Sequence, residues 1–95
     1  MEKIRLVVNH PVGLHARPAA QFVKTANQFQ STIAVANVTS DVEPTNAKSI
    51  LSVLTLGVNK GCEIEISAEG SDESRAITAL KTLVESNFGE PEAKA

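Results

Sequence analysis

A chain of 95 residues, 42% of them hydrophobic, supports one domain around a single modest core. With no Trp, no Tyr and three Phe, that core has to be aliphatic and alanine-rich, and stacking of nucleic-acid bases on aromatic rings has almost nothing to use. The net charge of −2 argues against a nucleic-acid binder, yet residues 1–60 hold six Lys/Arg against three Asp/Glu and residues 61–95 hold three against eight. A mildly basic first half of this kind suits docking to acidic protein surfaces.

In chain order, Lys3 to Val8 alternates with Ile4, Leu6 and Val8 on one side and predicts a half-buried strand. Asn9 to Gly13 reads as a loop, and His10 in it as an ordinary loop residue. A helix over about 16–27 follows, because Ala16, Ala19, Ala20, Val23 and Ala26 recur at the spacing of one helix face and Pro18 suits a first turn. Ser31 to Val38 reads as a second strand. Thr39 to Asn46 holds turn formers and one apolar residue, Val42, so a short third strand there would carry Pro44 at an edge or a bulge.

Ser49 is a plausible N-cap for a short apolar helix ending at Gly57, with Ile50 and Val53 as its core residues. Cys62 to Ala68 alternates as a strand, with Glu63 and Glu65 outward as solvated surface. Ser71 or Asp72 caps a last helix whose buried face is Ala76, Ile77, Leu80, Leu83 and Val84, up to about Asn87. The order predicts a two-layer α+β domain over residues 1–88, with helices covering one face of a mostly antiparallel sheet. Gly89 to Ala95 is expected to be a frayed tail. Cys62 alone makes neither an internal disulfide nor a cysteine zinc cluster and reads as a small buried residue. No leader and no apolar run of spanning length occurs, so the expectation is a cytoplasmic protein with no direct membrane insertion.

His15 lies at the predicted entrance of the first helix, where unpaired N–H groups and the positive end of the helix dipole favour an anion. The same field disfavours an imidazolium and leaves a ring nitrogen as a nucleophile. Arg17 adds a permanent cation, and Lys24 falls seven residues along the same face. Such a cluster suits a negatively charged group joined to His15. His10, five residues earlier, has no Cys or nearby carboxylate to complete a metal site with it.

The octapeptide Gly13-Leu14-His15-Ala16-Arg17-Pro18-Ala19-Ala20 resembles the active-site signature of HPr, the histidine-containing phosphocarrier family of the phosphoenolpyruvate-dependent sugar phosphotransferase system. A second block, Asn46 to Gly57, resembles that family's regulatory-serine segment, and the similarity runs from about Lys3 to Asn87. The resemblance implies an open-faced sandwich of βαββαβα order, a four-stranded antiparallel sheet covered by three helices. It further implies that His15 takes a phosphoryl group on Nδ1 from phosphorylated enzyme I and donates it to a sugar-specific enzyme IIA, without a cofactor or metal. Arg17 would balance the charge, and the N–H groups of Ala16 and Arg17 would receive phosphoryl oxygens.

Ser49 matches the serine modified by HPr kinase/phosphorylase, which would create a surface for a catabolite-control transcription regulator, although an N-cap role explains this serine without modification. Leu51 and Leu54, ringed by Ala20, Lys24 and Lys48, would form the docking face, and members are usually monomeric. The alternative is a regulatory binding module acting through phospho-Ser49 on a kinase or transcription regulator. Two departures stand out: Thr39 to Pro44 is about three residues longer than usual, and Val12 stands where a polar residue often supports the site.

Overall fold

A computed structural model describes residues 1–89. Its elements are β1 (Glu2–Val7), α1 (Ala16–Ala26), β2 (Thr32–Asn37), β3 (Val42–Asn46), α2 (Ile50–Leu54), β4 (Glu63–Glu69) and α3 (Glu73–Glu85), followed by a 3₁₀ turn at Asn87–Gly89. The four strands form one antiparallel sheet in the order β1-β4-β2-β3, so the predicted open-faced α+β sandwich is the one observed.

Alternation decides the layers. Leu6, Ile33, Val35, Ile64, Ile66 and Ala68 point to one face and are buried there. Against them pack Ala19, Phe22 and Ala26 of α1 and Ala76, Ile77, Leu80 and Val84 of α3. The alanines let the helices approach closely, and Phe22, with no exposed surface, fills the space between them and the sheet. Burying side chains of Leu or Ile size in this way contributes about 1.5–3 kcal/mol each. The opposite face carries Lys3, Arg5, Glu63, Glu65 and Ser67. There Arg5 lies directly across from Glu65, and its Nε donates to the carboxylate at 3.1 Å. Glu63 and Glu65 are half-buried rather than fully solvated, since the neighbouring strands β1 and β2 flank them.

The weak third strand is real, and it is an edge. β3 pairs with β2 alone, and the register slips between Val35 and Asn37, which accommodates the long hairpin. Pro44, which has no N–H to give a ladder, is exposed on that strand.

Several expectations need correction. Ile50 is not a core residue: it is 40% exposed, and Val53 and Leu56 supply the inward stripe of the short helix instead. Leu83 is only half-buried. Asp72 occupies the N-cap position of α3 but makes no side-chain cap bond, because its carboxylate is committed elsewhere. Gly89 closes a 3₁₀ turn, with its N–H donating to the Ser86 carbonyl at 3.2 Å, and the rest of the expected tail, residues 90–95, lies outside the described residues. Cys62 is buried as expected, immediately before β4.

Candidate functional site

The loop from β1 to α1 is built from short-range bonds. The Gly13 N–H donates to the His10 carbonyl at 2.9 Å, closing a turn with Pro11 at its second position. Gly13 has φ +68°, and a Cβ there would lie 2.2 Å from the Val58 carbonyl oxygen, so the position requires glycine on both counts. The next N–H, of Leu14, donates to that Val58 carbonyl at 2.9 Å, and the Leu14 side chain is fully buried. The segment after α2 thus clamps the backbone one residue before His15.

His15 follows as the N-cap of α1, in extended conformation (φ −131°, ψ 163°), and its side chain makes no cap hydrogen bond. Among the described residues the imidazole has no hydrogen-bond or ion-pair partner, and it is half-buried. Ala16 then has φ 51°, a left-handed conformation that costs a non-glycine residue about 1 kcal/mol or more. Its effect is to turn the chain abruptly from extended to helical. The first amide to find an intrahelical acceptor is that of Ala19, at 3.5 Å from the His15 carbonyl, so the N–H groups of Ala16 and Arg17 have no intrahelical carbonyl to bond. No acidic residue occupies the first turn, Arg17 is exposed, and it makes no ion pair among the described residues. A ring nitrogen, two open amides and a helix N-terminus therefore share one corner, with the exposed cation of Arg17 two residues on, and such a corner can hold an anion on or beside His15.

The residues expected to form a docking face lie on or beside α1 and α2. Helices α1 and α2 pack against each other, Ala20 and Lys24 are exposed on the first, and Leu51 and Leu54 are exposed on the second. Leu51 is 74% exposed, and Ile50 adds to this apolar patch. Lys48 is half-buried just before the start of α2. Its Nζ donates to the Phe29 carbonyl at 2.7 Å, while its own carbonyl accepts from Asn27 Nδ2 at 3.1 Å, so it ties the end of α1 to the start of α2. Ser49 caps α2, its Oγ accepting the Ser52 N–H at 3.3 Å, and is half-buried.

Sequence reading missed two residues beneath the site. His10, expected to be an ordinary loop residue, does lie in the loop but is only 8% exposed, and Phe88, 2% exposed, meets its ring edge-on. The signal for His10 was present in His10-Pro11-Val12-Gly13. A residue that precedes Pro in such a turn commonly accepts the N–H two positions on, as Asp or Asn does. No group of three or more His, Cys, Asp or Glu side chains able to hold a metal occurs among the described residues, and none of their helices is long and apolar enough to cross a membrane.

Comparison with known proteins gives a consistent result. A family model described as the PTS HPr component phosphorylation site matches residues 2–86. The phosphocarrier protein HPr of Mycoplasma pneumoniae is 44% identical over 85 residues, covering 90% of this chain and 94% of the relative. The crystal structure of HPr-C-His from Thermoanaerobacter tengcongensis superposes with a TM-score of 0.90 at 47% identity, covering 96% of this chain and 99% of that one. Crh, the Bacillus subtilis catabolite repression containing protein described as a domain-swapped dimer, superposes with a TM-score of 0.69 at 38% identity, covering 90% and 94% of the two chains.

Proposed function

The chain belongs to the HPr family and is a phosphocarrier of the phosphotransferase system, and from that premise we propose that His15 is the residue that carries the phosphoryl group, taking it from phosphorylated enzyme I and giving it to an enzyme IIA. The observation that carries this reading is the placement of an unengaged imidazole at the N-cap of α1, beside the open amides of Ala16 and Arg17. In the forward step the lone pair of His15 Nδ1 forms a bond to phosphorus while the bond to the donor's leaving atom breaks and that atom keeps its electron pair. The ring's own proton stays on Nε2. Ala16 and Arg17 donate N–H bonds to the phosphoryl oxygens, and the Arg17 guanidinium offsets their charge. The protein supplies position and electrostatics, which is what phosphoryl transfer chiefly needs. Exposure of Arg17 keeps the site wet and the hold on the group weak, as a reversible relay requires.

The test is intact mass after incubation with phosphoenolpyruvate and enzyme I, before and after mild acid. One acid-labile phosphoryl group is expected on the native chain and none on His15→Ala; a label that survives that substitution overturns the assignment.

A second reading adds control through Ser49. Its hydroxyl caps α2 next to Leu51 and Leu54, so a phosphate there would set about two negative charges at the edge of the apolar face and oppose enzyme I. The likeness to Crh supports partners in carbon catabolite regulation, with HPr kinase/phosphorylase adding the phosphate and a catabolite-control transcription regulator reading it. Incubation with ATP and HPr kinase would then add one acid-stable phosphate at Ser49, and an unmodified Ser49 would count against this role.

A further inference from the structure

Three features converge beneath the loop that presents His15. The first is His10, whose Nδ1 accepts the Val12 N–H at 3.2 Å while its carbonyl accepts the Gly13 N–H at 2.9 Å. One residue thus satisfies two consecutive amides of the turn, leaving Leu14 N–H to bond Val58. The second is the ring contact with Phe88, centroids 5.9 Å apart and planes at 75°, the edge-to-face arrangement aromatic rings prefer. The third is the backbone that delivers Phe88. Asn87 and Phe88 have φ 60° and 61°, two consecutive non-glycine residues in the left-handed region, where such residues stay only when their surroundings compel it. The chain end of α3 is bent so that this ring is buried against His10.

We propose that His10 is a positioning residue of the carrier: braced by Phe88, its Nδ1 fixes the Val12–Leu14 turn from which His15 is presented. The inference rests on the reading of His15 as the phosphoryl acceptor. Its physical content is that the loop's amide pattern, rather than packing alone, sets where the His15 ring stands relative to the open amides of Ala16 and Arg17. A side chain that fills the same space without an acceptor leaves the Val12 N–H, which is part-buried where it meets His10, without its partner, and the turn relaxes toward water. A misplacement of this kind acts on the transfer step, because near-attack geometry is lost while the docking face is untouched.

The variants are His10→Leu, which keeps bulk and removes the acceptor, and His10→Asn, whose Oδ1 can accept the N–H two residues on as Asx turns do. Initial rates of phosphoryl uptake from phosphoenolpyruvate through enzyme I are measured against carrier concentration, with Tm recorded for each protein. His10→Leu is expected to lower kcat by about tenfold with KM nearly unchanged, and His10→Asn to recover to within about twofold of wild type, even where its Tm falls through loss of the Phe88 contact. Wild-type kcat in folded His10→Leu, or His10→Asn as slow as His10→Leu, overturns the proposal and leaves His10 as packing. Should the wild-type chain take no label, the carrier reading fails first. Amide resonances of Val12 and Gly13 then judge the loop separately: shifts in His10→Leu that His10→Asn reverses uphold the turn's dependence on Nδ1, and unchanged resonances overturn it.

Discussion

Helices α1 and α3 begin in opposite ways. At α3 the chain fills the positive end with its own carboxylates: Glu73 lies in the first turn and accepts the Gly70 N–H at 3.1 Å, and Asp72 occupies the N-cap position. The Asp72 carboxylate reaches across to the start of β2, where it accepts the Ser31 hydroxyl, the Gln30 N–H at 2.8 Å and the Ser31 N–H at 2.9 Å. These bonds, that of the Ser31 hydroxyl foremost, hold its pKa down at about 2. At α1 the first turn has no acid and the cap residue contributes no side-chain bond. The same physical feature is thus sealed at one end of the molecule as a structural joint and left open at the other for an anion from outside.

The largest break in that contrast comes from putting a carboxylate where α1 has none. Arg17→Glu should cut the rate of phosphoryl uptake about a hundredfold, since it replaces a charge-stabilising group with a repelling one. Its Tm should hold or rise slightly, because an acid in a first helical turn favours the helix by about 0.3–1 kcal/mol. Enzyme I assays and thermal melts on one sample would show the two effects moving in opposite directions. Gly13→Ala comes next. Both the positive φ and the 2.2 Å approach to Val58 forbid a methyl group, so the loop must move at a cost of about 1–3 kcal/mol, read in denaturant melts.

Ser49→Ala removes a cap that works by side-chain bonding, unlike either of the other two helix starts. About 1 kcal/mol should be lost, or roughly 4–8 °C in Tm, with labelling of His15 unaffected. The smallest change is Asp72→Asn, because Asn keeps one acceptor oxygen for the Gln30 and Ser31 amides. The folded carboxylate titrates near 2 against 3.8 when unfolded, so its stabilisation is complete above 3.8 and disappears as pH falls through about 2. The Tm gap between wild type and Asp72→Asn, open at neutral pH, should close over that acid range; a gap independent of pH would mean the charge is irrelevant to the joint.

Alternation and helical spacing reveal local structure, and here they located β1, β2, β4, α1 and α3, whereas α2 rested on its cap and apolar run and β3 on the family resemblance. What they could not reveal depended on neighbours distant in sequence. Ile50 looked like core because the short helix is apolar almost all round, and only its packing against α1 and β3 decides that Val53 and Leu56 face inward. The bond from Lys48 Nζ to the Phe29 carbonyl likewise depends on where the end of α1 sits. Asp72 looked like a cap until Ser31, 41 residues away, took its carboxylate. The corner around His15 was legible because its parts are consecutive, whereas the His10–Phe88 support beneath it joins residues from opposite ends of the described chain.

The position of β4 between β1 and β2 also governs when this protein can acquire its structure. Glu2 pairs with Ala68 and Thr32 with Glu69, so the two partners of the central strand both wait for a segment made long after them. As the chain grows from the ribosome, the His15 loop, α1 and the β2–β3 hairpin emerge first, yet Val58 must also arrive before the Leu14 amide has its acceptor. Pairings this distant carry their loop-closure entropy in advance of any reward, which delays the folding nucleus until nearly the whole domain is present. A nascent chain halted at residue 61 should show no cooperative unfolding, so the carrier corner, though encoded early, becomes competent only once the last strand is in place.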